Sequence, residues 1–238
     1  MATKYNYDRY KMSEYDLGLF PGPKAGEVAP DFTVRDFDGN EVKLSDFRGK
    51  WVVLETGSIT CSMYVKNIPG IRKLMADYPD IEFLLVYIRE AHPGSRLKPP
   101  RNDKEKTLYA QSMKSIYDDP RRVLVDSLEG DMHKAYGGLP NVVYIINPEG
   151  KVTYRCDWAF PKNIRKVLAN RDAIEPNDHQ KIITAAPWIM VPVVLRGGWD
   201  ALWDILVALP ALIWGHLVAD VQDLKKKIAG GREGAKEA

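Results

Sequence analysis

Residues 81–88, IEFLLVYI, form an unbroken apolar run. A strand of that kind is stable only where both faces of its sheet are covered, as for a parallel strand in an α/β protein. A second run, KWVVLE (50–55), reads as another buried strand. Between them Tyr64, Ile68, Ile71, Met75 and Tyr78 recur at spacings of four and three, which predicts a helix with one apolar face, kinked at Pro69.

The flanking segments extend this strand-helix-strand nucleus. DFTVRDFDGNEVKLSDF (31–47) alternates around Asp38 and Gly39, a hairpin signal. A helix is expected over 103–117, a strand over 122–126, and a short helix stopped by Gly137 and Gly138. A hairpin over 141–156 turns at Pro148 and Glu149, and a helix opens on Pro161. Strands alternating with helices and closing on an antiparallel hairpin predict an α/β domain with a mixed sheet flanked by helices, in the order of the thioredoxin-like fold. With 238 residues, 45% of them hydrophobic, the chain accommodates one main domain plus appendages. The expected division is an N-terminal arm (1–27) broken by Gly and Pro, the α/β domain (28–172), and a linker with an apolar helical extension (173–238).

Charge and cysteine content narrow the function. Lys plus Arg (34) nearly balances Asp plus Glu (32), so nothing points to a nucleic-acid surface. Two cysteines cannot form a disulfide framework, which favours a reducing compartment. The N-terminus, MATKYNYDRYKMSEYDLG, is polar where a signal peptide would be apolar. A cytoplasmic location is the expectation. Two cysteines and scattered histidines also lack the ligand spacing of a metal site.

In open α/β sheets the ligand crevice lies beyond the carboxyl ends of the parallel strands. Cys61 follows the strand at 51–55 and opens a helix, where unpaired N–H groups and the dipole favour thiolate over thiol. His92 follows the strand at 81–88 by four residues and belongs on the same edge, placed to act as acid or base. Pro140, before a strand, occupies the place where this fold sets a cis-proline against its reactive cysteine. Each has a plainer reading: a lone cysteine is commonly a small buried hydrophobe, and a loop histidine can simply cap a helix. His133 reads as helical and solvated, and His179 as part of a polar linker. A turn between Pro148 and Glu149 places Cys156 opposite Asn141. That leaves it two strand spacings, roughly 10 Å, from Cys61, beyond the ~7 Å reach of a disulfide without local movement. Cys156 is therefore a possible resolving thiol only if the chain moves.

The segments GSITC (57–61), FLLVYIREAHP (83–93), VLVDS (123–127) and AYGGLPNVVYIINPEGKVTYR (135–155) together resemble the iodothyronine deiodinase family and its bacterial redoxin-like relatives. That family has a thioredoxin fold related to peroxiredoxins and removes iodine reductively from iodothyronines with a selenocysteine regenerated by thiols. The resemblance places Cys61 at the selenocysteine position, Ser58 in the polar turn before it and His92 at the active-site histidine. It makes Thr60, Glu90, Pro140 and Arg155 substrate-binding or supporting residues. Ile59 stands where several members carry a second cysteine, and Asp103 near where the family has a second histidine. The function implied is reductive deiodination or dehalogenation by Cys61. No bound cofactor is implied, and the reductant is an external thiol such as thioredoxin, glutathione or dithiothreitol. The substrate is then an iodinated phenol. A peroxiredoxin-like thiol peroxidase acting on a peroxide is the alternative. Peroxiredoxins carry Pro and Thr seven and three residues before their cysteine, whereas this chain has Leu54 and Ser58. A non-catalytic redox sensor or scaffold is the third reading.

Beyond the resemblance, residues 187–224 are strongly apolar. On a helix from Trp199, Asp200, Asp204, Ala208, Ala211, Gly215 and Gln222 make a narrow small or polar stripe, and Trp203, Leu206, Leu209, Ile213, Trp214, Leu217 and Val221 cover the rest. So wide an apolar surface must be covered. A second copy of the chain or its own domain is the favoured cover. A membrane surface is the next, with Lys225, Lys226 and Lys227 trailing the run. Asp204 and Pro210 count against a membrane span.

Overall fold

The computed structural model describes residues 5–15, 20–175 and 185–234. Strand β1 (Thr33–Arg35) and β2 (Glu41–Lys43) form the expected hairpin, with Gly39 at φ 87° in its turn. The two apolar runs are β3 (Trp51–Gly57) and β4 (Ile81–Tyr87), paired in parallel from Trp51 opposite Ile81 to Gly57 opposite Tyr87. Alternate side chains enter opposite layers: Val52, Leu54, Leu84 and Val86 one way, Val53, Phe83, Leu85 and Tyr87 the other. Both layers are filled, which is why neither run alternates in polarity.

β5 (Arg122–Val125) pairs in parallel with β4, β6 (Val143–Ile146) runs antiparallel to β3, and β7 (Val152–Cys156) antiparallel to β6. The seven-stranded mixed sheet has the order β2-β1-β5-β4-β3-β6-β7. The β6–β7 register differs from expectation: Cys156 lies opposite Val143 rather than Asn141, because the turn spans Asn147 to Lys151 and the pairing shifts between Ile145 and Ile146.

The helices are α1 (Ser62–Asp77), α2 (Asp103–Tyr117), α3 (Asp131–Ala135), α4 (Pro161–Leu168), α5 (Pro187–Val194) and α6 (Trp199–Gly234). Asn102 caps α2 by accepting from the Glu105 N–H, and α1 packs on α4 and α5. Residues 26–29 pair with the β7 edge through Gly26 N–H to the Val152 carbonyl and Ala29 N–H to the Gly150 carbonyl, which covers an otherwise open sheet edge. The N-terminal Tyr7, Tyr10 and Tyr15 are buried in the core layer that includes Leu84 and Val86.

The start of the α6 polar stripe, Asp200 and Asp204, faces the rest of the protein. Arg9 pairs with Asp204 at 2.6 Å and with Asp200 at 3.4 Å, while Ala201 and Ile205 are buried. Trp199, Trp203, Leu206, Ile213 and Trp214 stay exposed, Trp214 at 70%. No helix is long and apolar enough to cross a membrane among the described residues. His179 and most of the linker around it lie outside the described residues.

Candidate active site

The carboxyl ends of β3 and β4 deliver two short segments to the same edge, 57–61 and 88–92, and side chains cross-link them. The Ala91 N–H donates to Ser58 Oγ at 3.1 Å, and the His92 N–H donates to Thr60 Oγ1 at 2.9 Å. Thr60 Oγ1 in turn donates to Glu90 Oε2 at 2.6 Å, and the backbone N–H groups of Thr60 and Ile59 donate to the same carboxyl at 2.9 and 3.2 Å. The Tyr87 hydroxyl closes the set on Glu90 Oε1. Four donors converge on one fully buried acid. Burial pushes its pKa up, and the hydrogen bonds from Thr60 and Tyr87 oppose that shift. Ser58, Thr60, Glu90 and His92 thus form one clamp around the turn that presents Cys61.

Cys61 is the N-cap of α1, with extended backbone (φ −86°, ψ 100°), and is 3% exposed. Burial pushes its thiol up to about 12, with Glu55 and Glu90 adding to the rise, while the backbone amides of Tyr64 and Met63 favour the thiolate. The helix N-terminus acts in the direction expected from sequence, but desolvation is the larger effect. Met63, Tyr64, Tyr87 and Ala91 share its cluster, with Tyr109, Tyr117, Trp158 and Phe160 packed against it.

His92 is partly exposed as a residue, and its ring meets Tyr10 edge-on at 4.8 Å between centroids. Its Nδ1 is buried without a hydrogen-bond partner among the described residues, and desolvation lowers the imidazole to about 3. The backbone behind it is held by close approach. A Cβ on Gly197 would collide with the His92 carbonyl oxygen, and one on Gly94 would lie 2.6 Å from the Gly197 carbonyl oxygen. Asp200 then accepts from Ser95 N–H and Oγ at 2.9 and 2.8 Å. The C-terminal extension is fastened to the histidine loop.

Several residues outside the sequence motifs support this edge. Glu55, in β3, accepts from the Arg121 guanidinium and from Asn141 Nδ2 at 2.8 Å, and Arg121 also bonds Asp119 at 2.7 Å. All three charged groups are buried, and Tyr64 donates to Asp119 at 2.8 Å. Arg89 lies over Tyr5, Tyr7 and Tyr15 at 5.0, 4.7 and 5.0 Å, and the Tyr7 hydroxyl donates to the Ala91 carbonyl at 2.9 Å. Only the tyrosine-rich composition of the N-terminus hinted at this cage.

Two expectations, for Pro140 and His133, are corrected. No peptide bond is cis among the described residues, so Pro140 is not the cis-proline anticipated; its neighbour Asn141 makes the contacts to β3. Arg155 is turned away from the Cys61 cluster to the Gly22 and Pro23 carbonyls and the Phe20 ring, where it supports the N-terminal segment. His133 is helical but fully buried, with Tyr5 Oη at 2.9 Å from Nδ1 and the Leu139 carbonyl at 2.8 Å from Nε2. Cys156 packs in a different cluster from Cys61, and neither is in a disulfide.

A buried cysteine capping the first helix of a mixed sheet in this strand order defines a thioredoxin-like protein whose site carries one cysteine in place of a CxxC pair. Among solved structures it is similar to an uncharacterized conserved protein from Geobacillus kaustophilus, with TM-score 0.52 and 20% identity over 68% of this chain and 88% of that one. It is also similar to an exposed lipoprotein thioredoxin of Streptococcus pneumoniae, with TM-score 0.46 and 22% identity over 59% and 99%. The family model for iodothyronine deiodinase matches residues 5–171, and the chain belongs to that family. Curated relatives include the thyroxine 5-deiodinase of Gallus gallus, 32% identical over 152 residues, 58% of each chain. The type II iodothyronine deiodinase of Bos taurus is 29% identical over 150 residues, 56% of this chain and 54% of that one. The chain spans somewhat more than half the length of these relatives.

Proposed function

We propose that the protein is a thiol-dependent oxidoreductase that reductively removes iodine from an iodinated phenol. The observation that carries this reading is the position of Cys61 as N-cap of α1, clamped to the 88–92 segment through Ser58 and Thr60, inside the region matched by the family. Cys61 sulfur takes the iodine, the carbon–iodine bond breaks, and the ring carbon takes a proton. One external thiol displaces iodide to give a mixed disulfide, and a second releases Cys61 and leaves as the disulfide. Overall, one aryl iodide and two thiols give the deiodinated phenol, one disulfide and hydrogen iodide. His92 Nδ1, buried and without a partner among the described residues, is available to exchange the proton. No resident cofactor takes part. Because burial holds Cys61 as a thiol, substrate entry must uncover it or move its proton to a base.

The test is paired turnover with dithiothreitol, following iodide release from 3,5-diiodo-4-hydroxyphenylacetate and consumption of hydrogen peroxide, each against Cys61→Ser. Cys61-dependent iodide release supports the reading. Peroxide consumption alone transfers the protein to the peroxidase alternative, and silence in both supports a sensor or scaffold. The exposed Trp face of α6 supports association of two copies through that helix, with a membrane surface as the competing cover. A cytoplasmic location accords with external thiols as reductant.

A further inference from the structure

Beside the Cys61 turn, α2, the loop at 95–97 and the α5–α6 junction enclose a groove of about 650 Å³. That volume is in the range that holds a small molecule. Its wall is mixed in a specific way: Ile59, Tyr109 and Leu195 are apolar, Ser112 offers a hydroxyl, and Arg96 and Arg196 bring positive charge. The segments that carry the two arginines are joined by the backbone, since the Arg96 N–H donates at 2.9 Å to the carbonyl of Gly197, the residue after Arg196. Neither forms an ion pair with a carboxylate among the described residues. Asp200, on the neighbouring turn, is already engaged by Ser95 and Arg9. Arg196 lies over the Tyr117 ring at 5.3 Å, and the Tyr117 hydroxyl donates to the Ile59 carbonyl at 2.6 Å. The charged rim is thereby tied to the residue two positions before Cys61.

We propose that this groove binds a small amphipathic carboxylate, its apolar or aromatic body against Ile59, Tyr109 and Leu195 and its carboxylate between Arg96 and Arg196. Paired guanidinium groups suit a carboxylate because each presents a planar fork of donors that matches two oxygens. Three of the wall residues, Pro192, Leu195 and Arg196, come from the C-terminal extension, beyond the residues 5–171 that match the family. The groove is therefore completed by residues outside the part of the chain that the family model matches. That the bound carboxylate is also the molecule Cys61 acts on rests on the function proposed above; binding itself does not.

The experiment is calorimetric titration of full-length Cys61→Ser protein with 3,5-diiodo-4-hydroxyphenylacetate and with its methyl ester. The acid should bind about tenfold or more tighter than the ester, as expected for losing a charge-assisted contact. Arg96→Gln alone should reduce that preference, and Arg96→Gln with Arg196→Gln should remove it. Lys98→Gln, which takes away a cation on the same loop outside the groove, should retain it. Absence of binding, equal affinity for acid and ester, or a preference unaffected by the double substitution would each overturn the assignment. If the preference behaves as stated but the wild-type protein releases no iodide, the groove stands and the deiodination reading falls.

Discussion

Replacing Thr60 by Val removes one oxygen and almost no volume, at a position where that oxygen works twice. Thr60 Oγ1 donates to the buried Glu90 carboxyl at 2.6 Å and accepts the His92 N–H at 2.9 Å. The first bond is to a group with charged character, worth about 1.5–3 kcal/mol; loss of the second leaves an N–H short of its partner, costing about 1–3 kcal/mol. Because the Thr60 and Ile59 amides and Tyr87 still serve Glu90, the lower part of the range applies, and the expected loss is about 3 kcal/mol. That is a large share of the ~5–15 kcal/mol typical of a folded domain. Thr60→Ser keeps the hydroxyl and loses a methyl, which should cost about 1 kcal/mol. Urea unfolding of the two variants, with unchanged slopes, measures the difference. Equal destabilisation of Val and Ser would refute the view that the hydroxyl holds the clamp, and would assign Thr60 to packing.

Other outcomes follow from the same geometry. Arg121→Met leaves Glu55 and Asp119 buried without their cation and should cost about 3–5 kcal/mol; adding Glu55→Gln should recover part of it in the same unfolding assay. His92 and His133 are both pushed down to about 3 by burial. Between their ordinary range near 6.5 and pH 3 the unfolded chain therefore takes up protons that the folded chain refuses. Stability should fall as pH falls through that window, up to about tenfold in the folding equilibrium per pH unit per histidine, against an opposing trend from the raised carboxyls of Glu55, Glu90 and Asp126. His133→Gln should reduce proton uptake on unfolding by about one near pH 5, and unchanged uptake would show that His133 is protonated when folded. On α6, Trp203→Glu with Trp214→Glu should convert a sedimenting dimer into a monomer; a wild-type monomer that floats with anionic vesicles would instead assign the face to a membrane.

Much of this was legible in the sequence where one local rule governs. The run at 81–88 could only be a strand covered on both faces, and the spacing from Tyr64 to Tyr78 marked the buried face of α1. Helix α2 runs from Asp103 to Tyr117, the bounds expected from the sequence. Cys61 and His92 were placed on one edge because the ends of adjacent parallel strands lie there, and the structure sets both segments at that edge.

What stayed hidden depends on partners distant in sequence. Glu55 sits inside an apolar strand, and it is explained by Arg121, 66 residues away, together with Asn141. Glu90 stood out as part of a motif, but three of its four donors come from Ile59 and Thr60, in a separate segment folded against it. In a five-residue helix such as α3 the period is too short to reveal that His133 faces inward. The hairpin register moved because a shift between Ile145 and Ile146 leaves no compositional trace. The fastening of Gly94 to Gly197 gives only two glycines in sequence, and the stripe of Asp200 and Asp204 reads equally well as a solvated edge until Ser95 and Arg9 are placed against it.

The central claim is that one thiol, Cys61, performs the bond-breaking step and that the thiol closing the cycle comes from outside the chain. Reduced protein mixed with 3,5-diiodo-4-hydroxyphenylacetate in the absence of reductant, then added to a single external thiol and resolved by peptide mass, tests it most directly. The account predicts a mixed disulfide on Cys61, about one iodide per chain, and Cys156 still reduced. A Cys61–Cys156 disulfide, or iodide released with Cys61 unmodified, would contradict it.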